Sequence, residues 1–310
     1  MRVLITGGAG FIGSNLAREL VAAGHTVSIL DDLSTGYEEN IHGLDVEFHR
    51  ASILDEAALD QATGGQDSIV HLAALGSVPR SIMNPSATHS VNATGTLKVL
   101  ESARRSGVDH VIMSSSSSVY GLNPAMPKSE REWVRPMSPY AVSKLAAEQY
   151  MLAYQSSYSL KTLAFRFFNV YGPYQRAGHV YAAVIPVFID ALLRGDPLTV
   201  NGDGSNSRDF TFVGTVCDVI KSAVEGKVQH PEPVNLAFGT NTSLMDLIRQ
   251  IETTTGVSPQ VEHRSPRPGD VQHSQADNAS LRSLFPEIVP VPLEHGLKLT
   301  AEWFHTLPKH

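Results

Sequence analysis

Tyr140 and Lys144 stand four residues apart in Tyr140-Ala141-Val142-Ser143-Lys144. On a helix, that spacing places both side chains on one face, where the phenol and the ammonium can converge. A nearby cation favours the phenolate and draws a tyrosine from its ordinary pKa of about 10 toward neutrality. Tyr140 then becomes a general base usable near pH 7. Alone the pattern is weak, because helices are full of i, i+4 pairs. A second candidate is the run Ser114 to Ser118, which follows the apolar Val111-Ile112-Met113. In an extended segment Ser114, Ser116 and Ser118 share one face, so Ser116 can address a ligand while its neighbours bond backbone. The plainer alternative is a hydroxyl-rich turn that satisfies its own main chain.

These groups need something to act with, and the first residues of the chain suggest what it is. In Val3-Leu4-Ile5-Thr6-Gly7-Gly8-Ala9-Gly10-Phe11-Ile12-Gly13 an apolar run stops at glycines spaced three apart, and helical periodicity begins at once. This predicts a strand, a tight turn and a helix start. Glycine permits positive φ and close approach of a ligand, and the free amides at the helix N-terminus suit a pyrophosphate. Gly13 lets the helix pack closely on the strand. Eighteen residues beyond Gly13, the apolar run Thr26-Val27-Ser28-Ile29-Leu30 ends in Asp31. A carboxylate there is placed to accept from an adenosine ribose and to repel a 2′-phosphate, which favours NAD over NADP. The bland alternative is that Asp31 and Asp32 merely open a polar loop.

Stepping outward, the alternation of elements is that of a doubly wound α/β fold. Short strands are expected at Val46 to Phe48, Ser68 to Leu72, Val111 to Met113 and Thr162 to Phe168. Helices are expected at Asp55 to Gln61, Val91 to Ser106 with Gly107 as its cap, and Tyr140 to Tyr158. Strands separated by helices imply a parallel sheet covered on both faces, with ligands beyond the carboxyl ends of the strands. After Asn169 the chain breaks into short pieces at Gly172-Pro173, Gly195-Asp196-Pro197, Gly202-Asp203-Gly204 and Pro266-Arg267-Pro268-Gly269. Such loops suit a smaller, substrate-facing lobe. The helix Val216 to Val224 and the strand Val234 to Ala237 are expected to return to the main sheet. The expected division is 1–169, with a return segment near 212–238, as the dinucleotide domain, and 170–211 with 239–310 as a partly discontinuous C-terminal substrate lobe.

With 310 residues, 42% hydrophobic and 18% charged, the chain can bury a sizeable core. A formal net charge of −7 argues against a nucleic-acid surface. Cys217 is the one cysteine, so no internal disulfide and no cysteine cluster for zinc is possible, and the reducing cytoplasm is the expected compartment. The thirteen histidines are scattered singly, without metal-ligand spacing. No stretch is long and apolar enough to span a membrane, and glycines interrupt the apolar start before it could form a secretory h-region.

Together these segments resemble the extended short-chain dehydrogenase/reductases, specifically the NAD-dependent nucleotide-sugar epimerases and dehydratases with a Rossmann domain. The likeness runs through Thr6 to Gly13, Asp31 to Gly36, His71 to Ala74, Ser114 to Gly121, Tyr140 to Lys144, Arg166 to Pro173, Asn201 to Gly204 and Ser207 to Phe210. It implies that Tyr140 is the base on a sugar 4-hydroxyl, that Ser116 bonds the reacting oxygen, and that Lys144 binds the nicotinamide ribose. It further implies that NAD is held by Gly7, Gly10, Phe11, Ile12, Gly13, Asp31, Asp32, Ser34, Thr35, Gly36, Ser52, Ile53, Leu72, Ala73, Ala74, Asn92, Tyr140, Lys144 and Phe167. Where such proteins commonly carry an aspartate before Ile53, this chain has Ser52.

The branch of the family follows from other positions. Dehydratases of this kind carry an acidic or Cys-Glu pair before Val-Tyr-Gly, where this chain has Ser117 and Ser118. Neither serine is a ready acid or base at neutral pH, so 4-epimerisation of a UDP-sugar is the expected reaction. Segments 76–81, 181–186 and 269–274 resemble UDP-N-acetylhexosamine 4-epimerases, with the small Ser274 in place of a bulky tyrosine. UDP-GlcNAc and UDP-GalNAc are therefore the expected substrates, with UDP-glucose and UDP-galactose possible as well. By resemblance the substrate is held by Ser77, Ser116, Ser117, Tyr140, Asn169, Val184, Thr199, Asn201, Arg208, Arg267, Asp270 and Ser274, and the chain pairs as a homodimer through the helices near 91–106 and 140–158. The alternatives are a UDP-hexuronate 4-epimerase, a nucleotide-sugar reductase or dehydratase, and a NAD-sensing regulator without chemistry.

Overall fold

A computed structural model describes residues 1–178, 182–266 and 272–307. Its strands in chain order are β1 (Arg2–Thr6), β2 (Thr26–Asp31), β3 (Val46–Arg50), β4 (Ser68–His71), β5 (His110–Ser116), β6 (Lys161–Phe167), β7 (Val170–Tyr171), β8 (Leu198–Asn201), β9 (Ser207–Arg208), β10 (Thr211–Phe212), β11 (Val234–Leu236), β12 (Thr242–Ser243), β13 (Val261–Arg264) and β14 (His273–Ser274). The α-helices are α1 (Phe11–Ala22), α2 (Glu56–Thr63), α3 (Val78–Met83), α4 (Pro85–His89), α5 (Gly95–Ser106), α6 (Pro139–Tyr158), α7 (Val184–Arg194), α8 (Val213–Glu225), α9 (Leu244–Thr255), α10 (Ala279–Leu284) and α11 (Leu293–Thr306).

Seven strands form one parallel sheet in the order β11-β6-β5-β4-β1-β2-β3. The chain runs outward from β1 to β3 and resumes on the other side of β1 at β4, which makes the junction of β1 and β4 the topological switch point. Each central strand reads as a nearly continuous apolar run because both faces are covered. One face carries Leu16, Ala17 and Leu20 of α1 with Val216, Val219 and Ile220 of α8. The other carries Leu59 of α2, Val99 and Leu100 of α5, and Ala147 and Met151 of α6. No helix among the described residues is long and apolar enough to cross a membrane.

Several boundaries differ from the sequence pattern for identifiable reasons. Asp55 lies outside α2 and caps it, its carboxylate accepting from the amides of Ala57 and Ala58. Before α5, residues Ser90–Thr94 form a single wide π turn, and from the first turn of α5 the Thr96 hydroxyl donates to the Asn92 carbonyl at 2.6 Å. Strand β5 runs on through three serines to Ser116, beyond the apolar Met113. Pairing with β6 over its whole length extends it, Ser116 lying opposite Phe167.

Beyond Asn169 the pieces are shorter. β9, β10, β12 and β14 have two residues each, and β8 pairs with β13 in a separate two-stranded sheet.

Candidate active site

A cleft of about 650 Å³ opens at the switch point, beyond the carboxyl ends of the parallel strands. At one end is the glycine turn. Gly7 has φ +73°, and a Cβ there would sit 2.6 Å from the Ala73 nitrogen; one on Gly13 would sit 2.2 Å from the Gly7 carbonyl oxygen. Only hydrogen fits at either position. No side chain caps α1, and its first turn carries no acid, so its amides and dipole face the cleft without a built-in anion.

Asp31 closes the turn from the neighbouring strand. It accepts from the Ala9 amide at 2.9 Å and the Leu33 amide at 2.8 Å. Burial pushes its carboxyl above the usual range, against the pull of these two bonds. Gly7, Gly10, Phe11, Ile12, Gly13, Asp31, Asp32, Ser34, Thr35, Ile53, Leu72, Ala73, Ala74 and Phe167 all line the cleft. This lining fits a dinucleotide: a crowded glycine turn, an uncapped helix start and a carboxylate one strand away.

At the other end Ser116, Tyr140 and Lys144 meet. α6 starts at Pro139 with Ser138 as cap, its hydroxyl accepting from the Ala141 amide, which places Tyr140 in the first turn and Lys144 one turn on. The Ser116 hydroxyl bonds the Tyr140 oxygen and itself receives the Ser118 amide at 3.2 Å and the Ser118 hydroxyl at 2.8 Å. Lys144 donates to the Ser114 carbonyl at 2.8 Å. Burial lowers its pKa to about 8.

The tuning of Tyr140 differs from the expectation of a lysine-depressed phenol. Burial raises its pKa, and the bond from Ser116 is what lowers it. The i, i+4 spacing does put both residues on one face, but the ammonium turns to the strand carbonyl instead of the phenol.

The serine run also departs from a single extended face. Ser114, Ser115 and Ser116 line the cleft, whereas Ser117 and Ser118 begin a 3₁₀ turn at Ser117–Tyr120, and Ser118 supports Ser116.

Other expected residues lie off this cleft. Asn92 is buried behind its wall, where it donates to the Leu75 carbonyl and the Ser143 hydroxyl and accepts from the Leu75 amide. With both amide hydrogens engaged, it brackets the loop after β4 against α6 and does not reach inward. The Ser52 hydroxyl accepts from the Leu54 amide in its own turn. Gly36 packs against Ala9 and Asp31.

Ser77 and Asn169 line the cleft, but Ser117, Val184, Thr199, Asn201, Arg208 and Ser274 are not among its lining residues. Asn201 instead borders a second hollow of about 360 Å³ with Asp203, Ser205, Asn206, Pro266 and Gln272. Thr199 pairs with Glu262 across β8 and β13, and Ser274 with Arg208 across β14 and β9. Arg267 and Asp270 lie outside the described residues. Arg80 of α3, Val91 of the π turn and the loop residues Ala51 and Gln175 also line the cleft; residues of ordinary type at these places carry no spacing signal.

The family model described as the NAD dependent epimerase/dehydratase family matches residues 3–237. The UDP-glucose 4-epimerase of Mycolicibacterium smegmatis is 39% identical over 310 residues, with 98% of each chain covered. The UDP-N-acetyl-alpha-D-glucosaminuronate decarboxylase of Bacillus cytotoxicus is 33% identical over 320 residues, covering 99% of this chain and 98% of the relative. Among solved structures, a UDP-N-acetylglucosamine 4-epimerase from Methanobrevibacter ruminantium, in complex with UDP-N-acetylmuramic acid, has TM-score 0.93 at 35% identity over 98% of both chains. Relatives named for different reactions thus lie at similar distances. The chain belongs to the NAD-dependent epimerase/dehydratase family of extended short-chain dehydrogenases/reductases.

Proposed function

We propose that this chain is a UDP-hexose 4-epimerase that works through a transient 4-keto sugar, with UDP-GlcNAc and UDP-GalNAc as its main substrates and UDP-glucose and UDP-galactose as further ones. The observation that carries the reading is that Ser116, Tyr140 and Lys144 line one end of a cleft whose other end is the glycine turn. Tyr140 takes the proton of the sugar 4-hydroxyl as a general base. Ser116 donates to the same oxygen and steadies the charge that develops there. Bound NAD would supply a hydride acceptor and donor for C4. Lys144, placed one turn after Tyr140, would hold the nicotinamide ribose, and Asp31 the adenosine ribose.

Return of hydride to the opposite face of the turned ketone gives inversion at C4 without net redox change. What supports epimerisation over dehydration is the pair Ser117 and Ser118: the structure commits the Ser118 hydroxyl to Ser116, and neither side chain is a carboxylate able to take a C5 proton. Ser274, small and beside Arg208 on β14, supports an acetamido sugar on the resemblance that assigns a bulky residue there to glucose-restricted enzymes.

The test is incubation with UDP-GlcNAc, UDP-glucose or UDP-glucuronate without added NADH, followed by NMR of the products. The reading expects the 4-epimer of UDP-GlcNAc as the dominant product. A 4-keto-6-deoxy product, release of carbon dioxide from UDP-glucuronate, or no turnover would replace it with a dehydratase, a decarboxylase or a NAD-sensing regulator respectively.

A further inference from the structure

We infer that Glu148 is a positioning residue: with Ser115 and Arg166 it locks the register of α6 on β5 and β6, and so sets the approach of the Tyr140 phenol to Ser116. The inference rests on the reading above in giving Tyr140 and Ser116 a shared oxygen to act on.

Tyr140, Lys144 and Glu148 follow at four-residue intervals on α6, hence along one stripe, with Glu148 about 12 Å down the axis from Tyr140. Lys144 donates to the Ser114 carbonyl and the Thr162 hydroxyl to the Met151 carbonyl, but each of these is a single bond to a main-chain oxygen; the rest of the contact is apolar, Ala147 and Met151 packing with Val111, Met113 and Ala164. Such contact is non-directional, and a helix held by it alone can slide by a fraction of a turn with little loss of buried area.

Glu148 supplies what that contact lacks. It is 0% exposed. Its Oε2 accepts from the Ser115 hydroxyl at 2.8 Å and from Arg166 Nε at 3.0 Å, and its Oε1 from Arg166 Nη2 at 2.7 Å. Ser115 and Arg166 are register partners, so one carboxylate on α6 is tied to two adjacent strands, and one tie is the residue immediately before Ser116.

The guanidinium is itself fixed from behind. It stacks 4.7 Å from the centre of the Tyr120 ring, and the Tyr120 hydroxyl donates to Asn235 at 2.7 Å. Asn235 in turn donates to the Lys128 and Asp277 carbonyls. Bidentate charge-assisted bonds are directional, so a shift of α6 would break them and leave a buried ion without partners. Because a buried ion pair adds little net stability and apolar residues of similar volume often replace it without loss, its distinctive contribution here is register.

The experiment compares Glu148→Met/Arg166→Met, Glu148→Gln and Ser115→Ala in the full-length protein. In the double variant we expect Tm within a few degrees of wild type, KM for UDP-GlcNAc within about threefold, and kcat lower by about 10- to 100-fold, the effect of misplacing reacting groups by about 1 Å. Glu148→Gln, which keeps an acceptor and a donor in place, recovers most of that loss. Should the double variant not fold, Ser115→Ala carries the test, with an expected kcat loss of about fivefold at unchanged Tm.

A folded double variant, or Ser115→Ala, with kcat within about twofold of wild type overturns the inference. If wild-type protein turns over no UDP-hexose, the functional reading fails instead. The clamp is then judged by crystal structures of the wild-type protein and the variant: α6 displaced along β5 sustains it, and α6 unmoved refutes it.

Discussion

The two halves of the molecule hold the candidate ligand-binding residues in different ways. In the half up to Phe168, the residues Asp31, Ser116 and Phe167 stand at the ends of parallel strands of six or seven residues, and Phe11, Ile12, Gly13, Tyr140 and Lys144 in the first two turns of α1 and α6, so that a continuous sheet fixes their backbones. After Asn169, Arg208 and Ser274 sit on the two-residue strands β9 and β14, and Asn201 ends the four-residue β8, which belongs to a separate two-stranded sheet. A proton and a hydride are transferred only at near-contact distances, which demands the stiff half. Choosing among sugars needs only that a wall be near or far, which loops can supply.

The largest expected effect tests the stiff half where the proposal places the chemistry. Tyr140→Phe removes one hydroxyl from the buried end of the cleft and leaves the glycine turn untouched. We expect kcat to fall by about 10³-fold, the middle to upper part of what a general base contributes, with NAD retention unchanged by absorbance of the purified protein. Turnover within tenfold of wild type would remove Tyr140 from the mechanism.

Next is the role in selection proposed for the residues after Asn169. Ser274→Tyr should cut kcat/KM for UDP-GlcNAc by about 10²-fold while leaving UDP-glucose nearly unaffected, since a steric wall discriminates on that order. Ser274 pairs with Arg208 and is not among the residues lining the cleft, so this experiment bears directly on whether the acetamido group reaches β14. Equal losses for both sugars would point to a damaged fold and not to a wall.

How much was legible in advance follows the same division. The glycine turn, Asp31 and the Tyr140–Lys144 pair could be read because local rules fix them: positive φ, helix capping and i, i+4 spacing belong to short segments. The direction in which Lys144 points could not, because it depends on Ser114 of a strand 30 residues away. The hydrogen bonds of Asn92 were hidden for a similar reason, its partners Leu75 and Ser143 lying 17 and 51 residues off. The buried Glu148–Arg166 pair gave no signal at all, since a charged residue on a helix reads as solvent-facing until its partner strand is known. In the lobe, two-residue strands are too short to show any period.

His71, at the end of β4, probes the stiff half through pH. Its ring nitrogens meet the hydroxyls of Thr6 at 2.7 Å and Thr96 at 2.9 Å, and burial, with Lys144 adding to it, holds its pKa down to about 3. The unfolded chain, with an ordinary histidine near 6.5, binds one more proton between those values. The stability tied to a neutral His71 is therefore complete above about pH 6.5 and is lost as pH falls, at up to about 1.4 kcal/mol per unit. Urea unfolding at pH 7 and pH 5 should show His71→Gln losing about 2 kcal/mol less than wild type over that interval. Identical losses would mean that the imidazole is protonated in the folded state.

The smallest effect comes from giving the two halves the same backbone insult. Gly7 and Gly195 adopt almost the same conformation, φ +73° and +77°, so in both an alanine bears the left-handed penalty of about 1 kcal/mol. Around Gly195, which ends α7, nothing lies within 4 Å of the added methyl, whereas at Gly7 it meets the backbone of Leu72 and Ala73. Gly195→Ala should therefore lower Tm by only about 2–4 °C and leave NAD binding and turnover as they were. Gly7→Ala adds overpacking of about 1–3 kcal/mol at the point where the turn approaches β4, and NAD affinity should drop with stability. Differential scanning fluorimetry with and without added NAD separates the cases: the NAD-induced rise in Tm survives in Gly195→Ala and shrinks in Gly7→Ala. Equal behaviour of the two would show that the glycine turn tolerates a side chain, and that the stiffness ascribed to this half is not what holds the dinucleotide.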